Sequence, residues 1–194
     1  MGTTSLVVEL IVIGTGAALW VVLIILIVFG YTWLPMDRLP ELLGAPALIP
    51  ILSIVYILGV VTDRFSDWVF SLCDHSIRRS VFADPNDYQL ARTRLYTESE
   101  GLTGLLEYGR SRMRVCRGWV VNSLLILATL NLFICLRLPN DAPRLRLTLF
   151  STVALILIAI GCWSTWHSLV QNEYDRLSEQ SALLHDNSSK ETAP

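Results

Sequence analysis

Charge is scarce in this chain: Asp, Glu, Lys and Arg make up 16% of its 194 residues, where an ordinary soluble domain carries about 25%. Hydrophobic residues reach 53% and the mean hydropathy is +0.51, a balance that excludes a cytosolic globule. Cysteine is limited to Cys73, Cys116, Cys135 and Cys162. No two of these share CxxC spacing, so free thiols are expected, with neither a zinc cluster nor a disulfide framework. A net charge of −2 gives no electrostatic reason to expect a nucleic-acid partner. Also missing are a nucleophile elbow, a phosphate-cradling glycine loop, a zinc-protease helix and a pair of catalytic carboxylates. The expectation is a non-catalytic protein with no catalytic, metal or cofactor-binding residues. Lysine is reduced to Lys190 against fourteen arginines, a bias read as codon usage.

What charge there is lies unevenly. Four runs without any Asp, Glu, Lys or Arg cover residues 10–36, 42–62, 118–136 and 147–172, together 93 residues. A helix rising about 1.5 Å per residue needs about 20 apolar residues to cross a hydrocarbon core of about 30 Å. Inside that core only a helix satisfies its own backbone hydrogen bonds, so the runs predict four transmembrane helices. Buried helices of a soluble bundle would show a polar stripe. The stretches Trp20-Val21-Val22-Leu23-Ile24-Ile25 and Ala154-Leu155-Ile156-Leu157-Ile158 show none. The first run has no preceding Lys or Arg and no small-x-small site after a short apolar core, so it reads as a retained helix. The fold class is therefore all-α: a polytopic membrane protein with four transmembrane helices in an antiparallel bundle.

With four crossings, the N-terminus, the segment 63–117 and the tail share one side. Those regions hold eleven of the fifteen Lys and Arg residues, and the two short connections hold Arg38, Arg137, Arg144 and Arg146. Positive residues resist translocation, which places both termini in the cytoplasm of a plasma or bacterial inner membrane. Asn187-Ser188-Ser189 matches a glycosylation sequon but lies on the wrong side for modification. Tyr31, Trp33, Trp119 and Trp166 fit interfacial anchoring or ordinary packing. Pro46 and Pro50 mark either a gate or, preferably, the start of the second helix.

The division expected is 1–62 for the first two helices, 63–117 for a cytoplasmic helical hairpin, 118–172 for the last two helices and 173–194 for a partly disordered tail. In the hairpin the apolar positions Val61, Phe65, Trp68, Leu72 and Phe82 carry the second helix on to about Ser80. Asp84 and Pro85 supply a start signal for a returning helix. Its seam is Leu95, Leu102, Leu106, Met113, Cys116 and Val120, with a break expected near Gly101 to Gly104. Asp63, Asp67 and Asp74 share one face; Arg110, Arg114 and Arg117 share another. The two faces are expected to pair, Asp63 level with Arg117 and Asp67 with Arg114. The alternative is that Arg110, Arg112, Arg114 and Arg117 contact anionic lipid headgroups.

Few ionisable groups lie near the runs. Glu9 reads as an interface residue, His167 as a structural one, and His75 has no second ligand at metal spacing. Helix association is offered by Gly14, Gly16 and Ala18 in the first run, Gly161 and Thr165 in the fourth, and Asn122 and Asn131 in the third. Nine residues at about 100° each set the two asparagines on opposite sides of their helix. One is then expected to bond within the protomer, leaving the other for a neighbouring subunit, a pore or the outer interface. The functional expectation is a homo-oligomeric scaffold, sensor or regulatory subunit that contacts membrane lipids and a cytosolic protein through its hairpin and tail. A small channel or membrane-disrupting effector is the alternative, and a transporter the third choice.

Overall fold

A computed structural model describes residues 3–30, 44–81, 100–138 and 142–191, with side chains up to residue 74 in the second helix, from 109 in the third and up to 176 in the fourth. Four helices account for them: α1 Thr3–Phe29, α2 Ala45–Val81, α3 Glu100–Arg137 and α4 Ala142–Glu191. Each contains a stretch long and apolar enough to cross a membrane, Thr4–Phe29, Pro46–Asp74, Gly109–Arg137 and Pro143–Arg176.

Local chemistry explains where the helices stop and where they do not. The first apolar run continues to Met36, yet α1 ends at Phe29. Gly30 takes φ +74°, and its amide returns to the Leu26 carbonyl at 3.0 Å, the left-handed cap that glycine adopts without a Cβ penalty. Pro46 and Pro50 fall in the first two turns of α2. Pro46 occupies a position whose amide has no helical partner in any case, so a start there costs little. The expected break near Gly101 to Gly104 is absent: α3 is helical from Glu100. The tail also differs. With no Gly or Pro between Gly161 and Pro194, α4 continues through Glu191, past the point where a disordered end is expected. The proposed start at Asp84 and Pro85 lies outside the described residues.

Helix α3 is flanked by α4 on one side and α1 on the other, and α2 lies along α1. Toward its C-terminal end α2 also meets α3 and α4, where Phe70 stacks edge-on against Trp166 at 4.6 Å between ring centroids. Phe70, Met113, Val120, Val121, Trp166, Val170 and Tyr174 form the buried cluster there. The hairpin seam read from the sequence is sound at its described positions, since Met113 and Val120 are buried and Cys116 packs against them.

The stripe on α2 faces the other way. Val61, Phe65, Trp68 and Leu72 are all exposed, Trp68 and Leu72 by 64% and 71%, while Thr62, Ser66 and Phe70 are buried. Large apolar side chains outside, with Thr62 and Ser66 buried beside Phe70, depart from the pattern of a water-soluble hairpin. On α4, Leu145, Leu149, Phe150, Val153, Leu157 and Ile160 are likewise exposed, while Ala159, Trp166, Val170 and Tyr174 are buried.

Candidate functional site

The interhelical ion pairs among the described side chains gather at one end of the packed group, near the start of α1 and α3 and the later parts of α2 and α4. The sequence periodicity already sets Asp63, Asp67 and Asp74 on one face of α2 and Arg110, Arg114 and Arg117 on one face of α3. The fold turns those faces toward each other. Arg117 Nη1 reaches Asp67 Oδ1 at 2.6 Å, and Arg114 Nε stands 3.6 Å from Asp63 Oδ1, ion-pair distance but beyond a good hydrogen bond. The partners are exchanged relative to the level-by-level alignment of the sequence, because an arginine side chain is long enough to reach a turn along the neighbouring helix. A second acid also draws Arg114 away from Asp67.

That acid is Glu9 of α1. It is 8% exposed and therefore no simple interface residue. Arg114 Nη1 donates to its Oε2 at 3.3 Å, Ser111 Oγ donates to its Oε1 at 2.5 Å, and Ser5 Oγ donates to the same oxygen at 3.1 Å. Arg114 thus ties α1, α2 and α3 together through two carboxylates. A buried carboxylate without such partners would carry a large desolvation penalty. The signal available in the sequence was Ser5 four residues before Glu9, which places both on one helix face.

The remaining charges surround a cavity of about 730 Å³ between α2, α3 and α4. Arg64, Arg110, Arg114 and Arg117 line it together with Asp67, Asp74 and Glu173, over an apolar floor of Met113, Trp166 and Val170. Tyr174 donates its hydroxyl to Asp74 Oδ1 at 2.8 Å, and Arg110 lies 3.9 Å from Glu173. Arg112 is exposed beside this group. The Nε of Arg117 is buried without a hydrogen-bond partner. Trp166, 2% exposed, is a core residue, which decides between the two roles the sequence left open for it.

Away from this end, the contacts are made by backbone rather than charge. A Cβ on Gly14 would overlap the Val55 carbonyl, and one on Gly59 would overlap the Leu10 carbonyl, so α1 and α2 touch main chain to main chain. Gly16 leaves room for Asn122, whose Nδ2 a Cβ would approach to 2.6 Å. Asn122 is fully buried; its amide donates to the Ile13 carbonyl at 2.8 Å and its Oδ1 accepts from Trp20 Nε1 at 3.2 Å. Asn131, on the opposite side of α3, donates to Thr152 Oγ1 of α4 at 3.1 Å. Both asparagines therefore bond within the chain, because α3 has a neighbour on each side. Ala18 is half-buried, and Gly161 and Thr165 face outward, where a Cβ on Gly161 meets nothing within 4 Å.

At the far end two arginines close helix termini. Arg137 donates through Nη2 to the carbonyls of Ile27 and Val28 at 2.5 and 3.2 Å, and Arg144 donates to the Cys135 carbonyl at 2.8 Å. Each satisfies carbonyls that a helix leaves open and places positive charge at the negative end of the helix dipole. The roles of Gly59, Arg137 and Arg144 were not visible in the sequence, since each depends on which helix lies alongside. Among the described residues no group of three or more His, Cys, Asp or Glu is placed to hold a metal ion. No family model matches the chain, and no similar characterised protein or solved structure was found.

Proposed function

We propose that the chain is a non-catalytic integral membrane protein whose four helices cross the bilayer as an antiparallel bundle, with the charged end on the cytoplasmic side of a plasma or inner membrane. The single observation that carries this is the inversion on α2: Phe65, Trp68 and Leu72 are exposed at the level where Thr62 and Ser66 are buried and Asp63 and Asp74 turn toward α3 and α4. Such an arrangement suits lipid outside and a polar site within. The stretch Pro46–Asp74 has 29 residues and rises about 43 Å, comparable with a bilayer of about 40 to 45 Å including its headgroups. On this reading the cavity lies in the cytoplasmic headgroup layer rather than on a hairpin standing clear in water.

The cytoplasmic ends of α2, α3 and α4 then serve as the recognition surface of a scaffold, sensor or regulatory subunit. The residues between α2 and α3, together with the end of α4, are the elements in reach of a cytosolic protein. The outward face of α4 around Gly161 and Thr165 is the surface proposed for association with further copies. A channel reading would place Asn122 and Asn131 in a pore; their bonds to α1 and α4 argue for the binding reading instead.

Reconstitution separates the two. Liposomes containing the purified protein are expected to show no ion or dye flux above protein-free liposomes, with the protein resisting alkaline extraction. Flux that scales with protein content would favour the channel.

A further inference from the structure

We propose that the cavity at the charged end holds the headgroup of a zwitterionic aminophospholipid, its phosphate on the deeper arginines and its ammonium on the outer carboxylates. The proposal rests on the membrane reading above and names the ligand of the same site.

The lining is ordered by depth. Taking the apolar runs as the membrane interior, Arg64 and Asp67 lie deeper on α2 than Asp74, Arg117 and Arg114 lie deeper on α3 than Arg110, and Trp166 lies deeper on α4 than Glu173 and Tyr174. The deep tier thus sets Arg64, Arg114 and Arg117 against Asp67, and the outer tier sets Asp74 and Glu173 against Arg110. Glu9 and Asp63 balance the deep group from behind through Arg114 but do not line the cavity. Among the lining side chains alone, arginines outnumber acids in the deep tier and acids outnumber arginines in the outer one. Asp67 and Asp74 are seven residues apart, about 10 Å along the helix axis. A phospholipid headgroup has the complementary order, because its phosphate sits next to the glycerol and its amine extends toward water.

Three further features fit this ligand. Arg117 lines the cavity and gives only Nη1 to Asp67, so the outer end of its guanidinium, not the buried Nε, is the part proposed to donate to a phosphate oxygen. Guanidinium forks match phosphate oxygens in pairs, which a lysine ammonium does not. Tyr174 holds Asp74 through Oδ1 and so fixes the position of the carboxylate proposed to meet the ammonium. A purely anionic headgroup would satisfy the deep tier and meet repulsion at the outer one.

Native mass spectrometry of the detergent-purified protein tests the assignment with phosphatidylethanolamine, phosphatidylglycerol and inorganic phosphate as probes. Phosphatidylethanolamine should bind about fivefold more tightly than phosphatidylglycerol, the size of one charge contact near a membrane surface. Asp74→Asn and Glu173→Gln should each reduce that preference while the circular dichroism spectrum stays unchanged. The double variant Asp67→Asn with Arg117→Gln, which keeps the local charge balance, should weaken both lipids alike. Equal or tighter binding of phosphatidylglycerol by the native chain overturns the proposal, as does a preference that survives both acidic variants. Displacement of the lipid by millimolar inorganic phosphate would also overturn it, by making the site one for free phosphate. Failure of the membrane reading looks different, because the protein would then be released by alkaline extraction.

Discussion

The middle of the packed helices and their charged end are held together by opposite means. In the middle, α1 meets α2 through Gly14 and Gly59 with backbone against backbone, and α3 through an asparagine seated on Gly16. Nothing there can move far without a clash. At the charged end the same helices are joined by long arginine side chains with more than one acid in reach, Arg114 between Glu9 and Asp63 and Arg117 beside Asp67. Such contacts tolerate rearrangement, and around them lies a cavity. The difference teaches that the middle is fixed by close backbone contact, while the charged end sets the buried cluster around Phe70 and Trp166 beside ion pairs that give Arg114 more than one acid in reach.

Substitutions that attack the middle should therefore cost most. Gly59→Leu forces a side chain into the Leu10 carbonyl, and overpacking of this kind costs about 3 kcal/mol or more. The expected outcome is loss of the cooperative thermal transition in detergent, followed by circular dichroism. If Gly59→Leu melts like the native protein, the close α1–α2 crossing is wrong. Arg114→Leu comes next, since it leaves Glu9 buried with only serine donors. An unpaired buried carboxylate costs about 3 kcal/mol, less here because Arg114 is partly exposed. Adding Glu9→Gln should recover much of that loss, whereas recovery by Asp63→Asn alone would assign the pairing differently.

Smaller effects follow at sites with more freedom. Asn122→Leu removes the bonds to Ile13 and Trp20 and should lower stability by about 1 kcal/mol, in the range measured for hydrogen bonds between membrane helices. Trp20 fluorescence should change with it. Asp67→Asn breaks one ion pair whose acid is half exposed, worth about 0 to 1 kcal/mol, so the melting temperature should hardly move. Gly161→Ala is expected to leave the protomer unaffected. A changed band on a native gel with an unchanged melt would place Gly161 in an interface between copies, and no change in either would remove it from that role.

Much of this architecture was legible in residue order alone. Four apolar runs named four helices, because crossing length depends only on composition and rise per residue. Opposite directions for Asn122 and Asn131 came from helical angle, and the structure gives each direction a partner. Facing Asp and Arg rows were also visible at periods of three, four and seven. What the sequence could not supply is the identity of neighbours. Gly59 looks like any glycine within an apolar run until Gly14 is found beside it, and Glu9 looks interfacial until Ser111 and Arg114 arrive from α3. The stripe of Val61, Phe65, Trp68 and Leu72 correctly carried α2 to its end at Val81 but could not give the direction of that face, which is exposed and meets lipid on the proposed membrane reading.

That inversion is the central claim, and spin-label accessibility measures it directly. Single labels at Trp68→Cys, Leu72→Cys and Asp74→Cys in liposomes can be compared for relaxation by oxygen, which partitions into lipid, and by a water-soluble nickel chelate. Labels at positions 68 and 72 should respond to oxygen and hardly to nickel, while the label at 74 responds to nickel. Strong nickel relaxation at all three positions would contradict the account and return α2 beyond Thr62 to a hairpin standing in water.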